Sequence, residues 1–352
     1  MIYVFYILSI FLIISVLLPF IKSDHWTVRV FDYPRFQKLI LIFISFIIWT
    51  FIDDKTIFDE IILVLLGICT IYLAWVILPY TPIGKTMIDK VETKPNEKPL
   101  NLLVSNVYQD NTDFHKLVQL VKKVNPDILF LLETNKTWME NIREATDDFE
   151  YRIEVPLENT YGLLFYSKLP IHFQEVNYLI SNEIPSIVVD IEYNDEIVRM
   201  YGLHPTPPVP QENEESTERD AEILITGKAA KEYGKACIVF GDMNDVAWSR
   251  TTRLFLKTSQ LLDPRRGRGM YNTFHEKYWF LRWPLDHYFL SSQFRLVNIK
   301  IEDSVGSDHF PIAISVVIRK DDCSGEIKLD TEEKQEVEEK IKDGIEKGNA
   351  DS

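Results

Sequence analysis

Residues 238–245 read IVFGDMND, and residues 306–312 read GSDHFPI. In each, a short apolar run abuts carboxylate, amide or imidazole side chains, the arrangement by which a strand end presents chemistry at a sheet edge. A GDxN turn by itself is common, and its side chains then only satisfy backbone groups. Three further stretches repeat the pattern: Asn106 follows NLLVS, Glu133 follows ILFLL and His204 follows MYGL. Metal-assisted phosphoester hydrolysis needs hard oxygen ligands for a cation such as Mg²⁺, a group that activates or orients water, and donors for charge on phosphorus-bound oxygens. These strand ends supply those residue types.

Working outward, the surrounding texture is that of an α/β domain. Strands are predicted at 100–104 and 128–132, separated by a helix over 113–124 in which Phe114, Leu117, Val118 and Val121 recur at helical spacing. Further strands are predicted at 162–166, 187–191, 198–203, 236–240, 288–290 and 312–318. A helix is predicted from Ser216-Thr217, whose hydroxyls can cap it, to about Tyr233.

In order and separation these stretches resemble the motifs of the endonuclease/exonuclease/phosphatase (DNase I-like) superfamily, which includes nucleases, sphingomyelinases and inositol-polyphosphate phosphatases. The resemblance spans about residues 100–318, and GDMND and SDHFP are its most specific pieces. It implies an α/β (α+β) fold, a four-layer sandwich of two β-sheets flanked by helices, with the active site at one edge of the sheets. Carried over residue by residue, it implies Glu133 as principal metal ligand, with Asn106 and Asp308 completing a Mg²⁺ (or Mn²⁺) site directly or through water. Asp242 would orient or deprotonate the attacking water, and Asn244 would donate to a phosphate oxygen. His309 would bond the scissile phosphate or activate water, with Asp286 holding its imidazole, and His204 would stabilise the phosphorane or protonate the leaving group.

Read without the resemblance, Glu133 could simply cap a helix beginning at Thr134. His115, His172 and His275 read as structural; between Asp286 and His287, strand alternation turns one away from the site and leaves His287 open. No GxSxG elbow, P-loop, HExxH helix or CxxC pair occurs, so serine-hydrolase, NTPase and zinc-protease readings lack their core parts.

Substrate choice is less legible. Arg265, Arg266, Arg268 and Arg282 stand among aromatic residues in 264–284, where they could grip phosphate beside a base- or interface-binding loop, or equally sit on the rim of a core. The stretch 204–210, HPTPPVP, is stiff and can wall a cleft beside His204. Formal net charge is −15, of which residues 321–352 carry −7 and the intervening domain −8. That disfavours duplex nucleic acid as a partner and favours a small or headgroup-sized phosphoester.

The chain's first part is a different material. Residues 2–21 and 61–84 contain no charged side chain, and each is long enough to cross a hydrocarbon layer ~30 Å thick. Residues 39–52 offer only fourteen, between a re-entrant helix and a span, with Lys38 and Asp53 placed to snorkel. We read two to three membrane helices, three being favoured. The first is an uncleaved anchor, since it lacks a basic start and a small-residue cleavage site. Lys22, Arg29, Arg35 and Lys38, then Lys85, Lys90, Lys94 and Lys98, lean the C-terminal part toward the cytoplasm if the middle segment crosses. Cys69, Cys237 and Cys323 suggest no disulfide framework.

The expected organisation is therefore a transmembrane region at 1–84, a proline-bounded linker at 85–99, a catalytic domain at 100–320 and a charged tail at 321–352. The tail is expected to be disordered, at most a loose helix around Val337, Ile341 and Ile345. The expected activity is that of a membrane-anchored, divalent-metal-dependent phosphoesterase acting on a lipid, headgroup or small phosphoester. A membrane-tethered nuclease, and a non-catalytic receptor or scaffold on the same fold, are the alternatives.

Overall fold

The apolar runs around the motifs become strands because each has one face, or both, to bury. In the computed structural model, which describes residues 2–210, 212–319 and 328–350, the strands are β1 (Leu100–Asn106), β2 (Ile128–Leu132), β3 (Tyr151–Val155), β4 (Leu163–Ser167), β5 (Ile171–Asn177), β6 (Ser186–Tyr193), β7 (Glu196–Leu203), β8 (Cys237–Asp242), β9 (Asp286–Leu290), β10 (Phe294–Ile301) and β11 (Ile312–Ile318). They form a six-stranded sheet, β10-β11-β1-β2-β4-β3, and a five-stranded sheet, β5-β6-β7-β8-β9. Phe130 and Phe165 from the first and Phe240 and Met200 from the second interlock in the core between them.

The helices are α1 (Ile2–Leu17), α2 (Trp26–Arg29), α3 (Arg35–Thr50), α4 (Ile57–Ile77), α5 (Phe114–Val124), α6 (Lys136–Asn141), α7 (Arg143–Thr146), α8 (Thr217–Tyr233), α9 (Arg250–Ser259) and α10 (Thr331–Ala350). Leu117 and Val121 of α5 and Trp138 of α6 cover the outer face of the first sheet, and Leu224 of α8 and Phe255 of α9 cover that of the second. The four-layer sandwich is thus present. β1 and β2 run parallel, as do β7 and β8, while the other neighbours are antiparallel. Each parallel pair brings two strand ends to the same edge.

The N-terminal helices form a bundle of their own. Leu12, Ile42, Trp49, Leu66 and Leu73 pack at its centre, while Ile7, Phe11, Ile44, Ile48, Ile68 and Ile71 point outward. Two helical segments, Tyr3–Phe20 and Ile57–Tyr80, are long and apolar enough to cross a membrane, and only 28% and 33% of them are buried within the protein. A core helix of a water-soluble domain would be mostly buried, so this apolar exterior asks for another covering. α3, sixteen residues long like α1, packs against both α1 and α4. Lys38 does not snorkel outward: its Nζ donates to the Ser15 and Phe31 carbonyls, 2.7 Å each, inside the bundle.

Two expectations need correction. The segment 85–99 is not a free linker, since Ile88 joins the inter-sheet core and Val91 pairs with Leu296 of β10. Nor is the tail solvated. Its first part, 320–327 with Cys323, lies outside the described residues, but α10 packs on α8 and α9 with Val337 buried. Glu333 pairs with Arg250 and Lys257, Glu336 with Arg250, and Glu338 with Lys228. The acidic composition that suggested disorder is neutralised by basic groups on α8 and α9.

α8 itself is unusual in burying Glu218, Arg219, Asp220 and Glu222. The Glu222 Oε1 atom finds no hydrogen-bond partner among the described residues, and burial, reinforced by Glu218, pushes its carboxyl up to about 8. An acid whose folded pKa is raised loses stability as pH climbs from its unfolded value, 4.5, toward 8. Glu222→Gln is therefore expected to raise Tm at pH 8 and leave it unchanged at pH 4, as read by thermal melts; equal effects at both pH values would contradict the assignment.

Candidate active site

The paired parallel strands deliver the polar ends to one place. Asn106 closes β1, Glu133 follows β2, His204 follows β7, Asp242 closes β8 and Asp286, opposite Asp242 in register, opens β9. Asp308 and His309 come from the loop before β11. Gly241 shows why the motif begins with glycine: its φ is +132°, and a Cβ there would stand 2.0 Å from the Leu203 carbonyl oxygen.

Asn106 is the junction of the cluster. Its Nδ2 donates to Glu133 Oε1 at 2.7 Å and to Asp242 Oδ2 at 3.1 Å. Glu133 has φ +57°, a left-handed conformation that turns its side chain from the strand into the cleft, and it caps no helix: Asn135 accepts from the Trp138 backbone amide at the start of α6. Burial raises the Glu133 pKa, with His204, Asn106 and His309 only partly offsetting it. Asp242 is also buried, but His309, His204 and the Asn244 amide more than offset burial and hold its carboxyl below the usual range.

His309 Nδ1 bonds Asp286 Oδ2 at 2.8 Å, and its Nε2 lies 3.6 Å from Asp242 Oδ2. Burial would lower the imidazole, yet the two carboxylates dominate and push it up to about 10, so it is a cation at neutral pH. His204 Nε2 lies 3.9 Å from the same Asp242 oxygen. Asp242, Asp286 and His309 have ligand atoms within 4.8 Å of one another and could hold a metal ion.

Strand alternation resolves the ambiguous neighbour. Asp286 turns toward His309, while His287 points away, bonded to Arg265 Nη2 at 2.7 Å and to the Asp245 carbonyl at 2.8 Å. His115 and His172 lie at the surface; His275 sits in the aromatic loop and does not line the cleft.

The expected arginine grip is not formed. Arg265 is buried and paired with Asp263, Arg266 lies over the Tyr80 ring, Arg268 donates to the Pro264 and Ile88 carbonyls, and Arg282 donates to the His275 and Glu276 carbonyls. None lines the cleft. These cations support loops around the site, and aromatic neighbours such as Phe274 and Trp283 form part of its wall. Asn244 donates from Nδ2 to the Pro205 carbonyl at 2.9 Å, so in this state its amide is engaged rather than free.

The cleft, about 750 Å³, is floored by Glu133, His204, Asp242, Asn244, Asp308 and His309 and walled by apolar groups including Pro207, Pro208 and Val209. The sequence reading missed one side of it entirely. Trp26, Val30, Tyr33 and Pro34, from the connection between α1 and α3, line the cleft opposite the catalytic domain. Tyr33 Oη and Arg219 Nη1 both donate to the Asn244 carbonyl, at 2.9 and 2.7 Å, and Trp248 Nε1 donates to the Asp32 carbonyl at 2.8 Å. Only the aromatic content of that connection could have hinted at it.

A profile of the endonuclease/exonuclease/phosphatase family matches residues 103–309, more than half the chain and the whole set of polar strand ends. The protein belongs to this family. Among solved structures, an endonuclease/exonuclease/phosphatase family protein from Bacteroides thetaiotaomicron is 18% identical with a TM-score of 0.52, covering 63% of this chain and 99% of its own. A mannosyl-6-phosphatase from the same organism is 17% identical at TM-score 0.50, covering 62% and 100%. D. rerio TDP2, solved in a complex with single-strand DNA product, is 14% identical at 0.51, covering 62% and 99%. At such identity these likenesses establish the family's fold and no more. They leave more than a third of this chain without a counterpart. A search of curated proteins found no match.

Proposed function

We propose that the chain is a divalent-metal-dependent phosphoester hydrolase, anchored in a membrane by its N-terminal helices and acting on a lipid, a headgroup or another small phosphoester. The observation that carries this reading is the convergence of Glu133, Asn106, Asp242, Asp308, His309 and His204 on one cleft floor. Glu133, Asn106 and Asp308 offer only oxygen, as Mg²⁺ or Mn²⁺ prefers. A cation there would offset the burial that now raises Glu133. The nitrogen-containing set is the weaker candidate, because His309 is cationic and already bonded to Asp286.

When bound, the metal would supply positive charge to the phosphoryl oxygens. The chain's own groups do the rest. Asp242, ionised, takes a proton from water as the water oxygen bonds to phosphorus. The ester P–O bond breaks, and the departing oxygen takes a proton from His204. His309, held by Asp286, donates from Nε2 to a phosphoryl oxygen, a contact that strengthens as negative charge grows there. Asn244 would donate once its side chain leaves Pro205.

The outward apolar faces of α1, α3 and α4 support the anchored reading. The connection 51–56 carries a single lysine, Lys55, whereas Lys22 and Lys85 flank the other end of the bundle, a balance that under the positive-inside rule favours a cytoplasmic domain. The test is a panel of phospholipids, glycerol phosphate, and single- and double-stranded DNA and RNA, offered to the full chain in lipid nanodiscs. Chelation should abolish turnover, and Mg²⁺ or Mn²⁺ should restore it. Turnover that survives chelation, or is confined to nucleic acid, would overturn the reading.

A further inference from the structure

The cleft's floor and its walls belong to different chemistries. Its floor carries carboxylates and imidazoles, and among the described residues no lysine or arginine lines it, so a polyphosphate or a nucleic-acid strand would find neither to neutralise its other charges. The walls are mostly prolines, valines, leucines and aromatic rings, with Thr160 and Glu212 among them. A free, fully hydrophilic phosphoester has no use for such walls; a phosphoester attached to a hydrocarbon chain does.

The position of one wall says where that chain comes from. Val30, Tyr33 and Pro34 lie between the two apolar helices α1 and α3, at the end of the bundle that meets the catalytic domain. Val30 is 46% exposed and Val209, across the cleft, 36% exposed, so the mouth is an open apolar slot. Beside it the loop bearing Trp279, 79% exposed, and Phe280 is fastened to the first turn of α3 by Gln37, whose Nε2 donates to the Phe280 carbonyl at 2.9 Å. Exposed apolar side chains thus stand on the outer face of the helices, on the loop that Gln37 fastens to α3, and at Val30 and Val209 on the cleft wall.

We propose that the connection between α1 and α3 is a substrate-binding wall, and that the cleft takes the hydrocarbon chain of a single-phosphate membrane lipid that enters sideways from the bilayer. The proposal rests on the phosphoesterase reading and specifies its substrate class. Val30 and Val209 touch the chain near the mouth, Tyr33 and Leu281 further in, and the phosphoester reaches the floor at Asp242 and His309. The N-terminal helices are then part of the active site rather than a tether for it.

The test compares kcat/KM of the full chain in nanodiscs, with Mg²⁺, on glycerol phosphate and on monomeric phosphatidic acids and phosphatidylglycerols carrying two-, four- and six-carbon acyl chains, alongside an oligonucleotide. Because a buried methylene contributes ~0.8 kcal/mol, kcat/KM should rise roughly twofold to fourfold per added methylene until the slot is filled. Val30→Trp and Val209→Trp, at exposed positions where folding is not at stake, should flatten that slope, with glycerol phosphate as the chain-free reference for each variant. A rate indifferent to chain length, with glycerol phosphate turned over, overturns the proposal and leaves the phosphoesterase reading intact. So does an unchanged slope in both variants, or preference for the oligonucleotide. No turnover of any ester overturns both.

Discussion

Asp242→Asn should lower kcat by about 10²–10⁴, the usual worth of a positioned general base, with KM and fold little changed. The substitution keeps shape and removes only the charge and the proton acceptor. Asp242 is buried at a strand end and accepts from the Asn244 amide at 2.9 Å and from Asn106 Nδ2 at 3.1 Å, so an asparagine keeps the first bond and gives up the second. What changes is the electrostatics: two histidines lose the carboxylate that lies 3.6 and 3.9 Å from them. Single-turnover hydrolysis at saturating Mg²⁺ reads the effect, and circular dichroism checks that the fold persists. A rate within threefold of the parent protein would remove Asp242 from the chemistry. Glu133→Gln provides the contrast, since loss there should appear mainly as a higher Mg²⁺ requirement.

Asp220→Asn is the corresponding expectation for stability. Asp220 is fully buried, and Arg219 at 2.7 Å, Lys340 at 2.9 Å and Arg29 at 3.9 Å converge on its carboxylate. Burial alone would raise its pKa, but the three cations overwhelm that and hold it far below the ordinary carboxylate range. Its contribution is therefore complete above pH 3.8 and is lost only in stronger acid. Removing one member of such a group leaves uncompensated buried charge, worth about 3–5 kcal/mol. Denaturant melts of the catalytic unit in detergent should show that loss. Activity should fall as well, because Arg219 also donates to the Asn244 carbonyl and shapes the loop that carries Asp242. A shift in stability below about 1 kcal/mol would mean that water screens the cluster.

The central strands and the site were legible because both leave local traces. β2, β4 and β8 are buried along their length and read as apolar runs, and Glu133 and Asp242 break two of those runs at their ends. β3, β5 and β10 left no such trace. All three are sheet edges, with exposed or half-buried positions occupied by residues such as Arg152, Gln174 and Lys300. Their strand character comes from a neighbour rather than from their own pattern.

The wall formed by Trp26, Val30, Tyr33 and Pro34 was hidden for a similar reason, since nothing local says that a loop between two apolar helices will line the same cleft as His204. Composition misled outright in the tail. Glu333 and Glu336 look like solvated charge until Arg250 and Lys257, some eighty positions earlier, are seen opposite them. The arginines at 265–282 misled in the opposite direction: their charge is spent on carbonyls, rings and Asp263 rather than on a ligand.

Lys340 meets Asp24 across 316 positions of the chain. A ribosome adding roughly 5–20 residues per second exposes the first of these groups tens of seconds before the second. During that interval the α1–α3 connection carries Asp24 and Arg29 without their final companion, and the strand sandwich assembles against an unfinished neighbour. Docking of α10 brings Lys340 to the carboxylates of Asp24 and Asp220, and Arg219 links that knot to the Asn244 carbonyl.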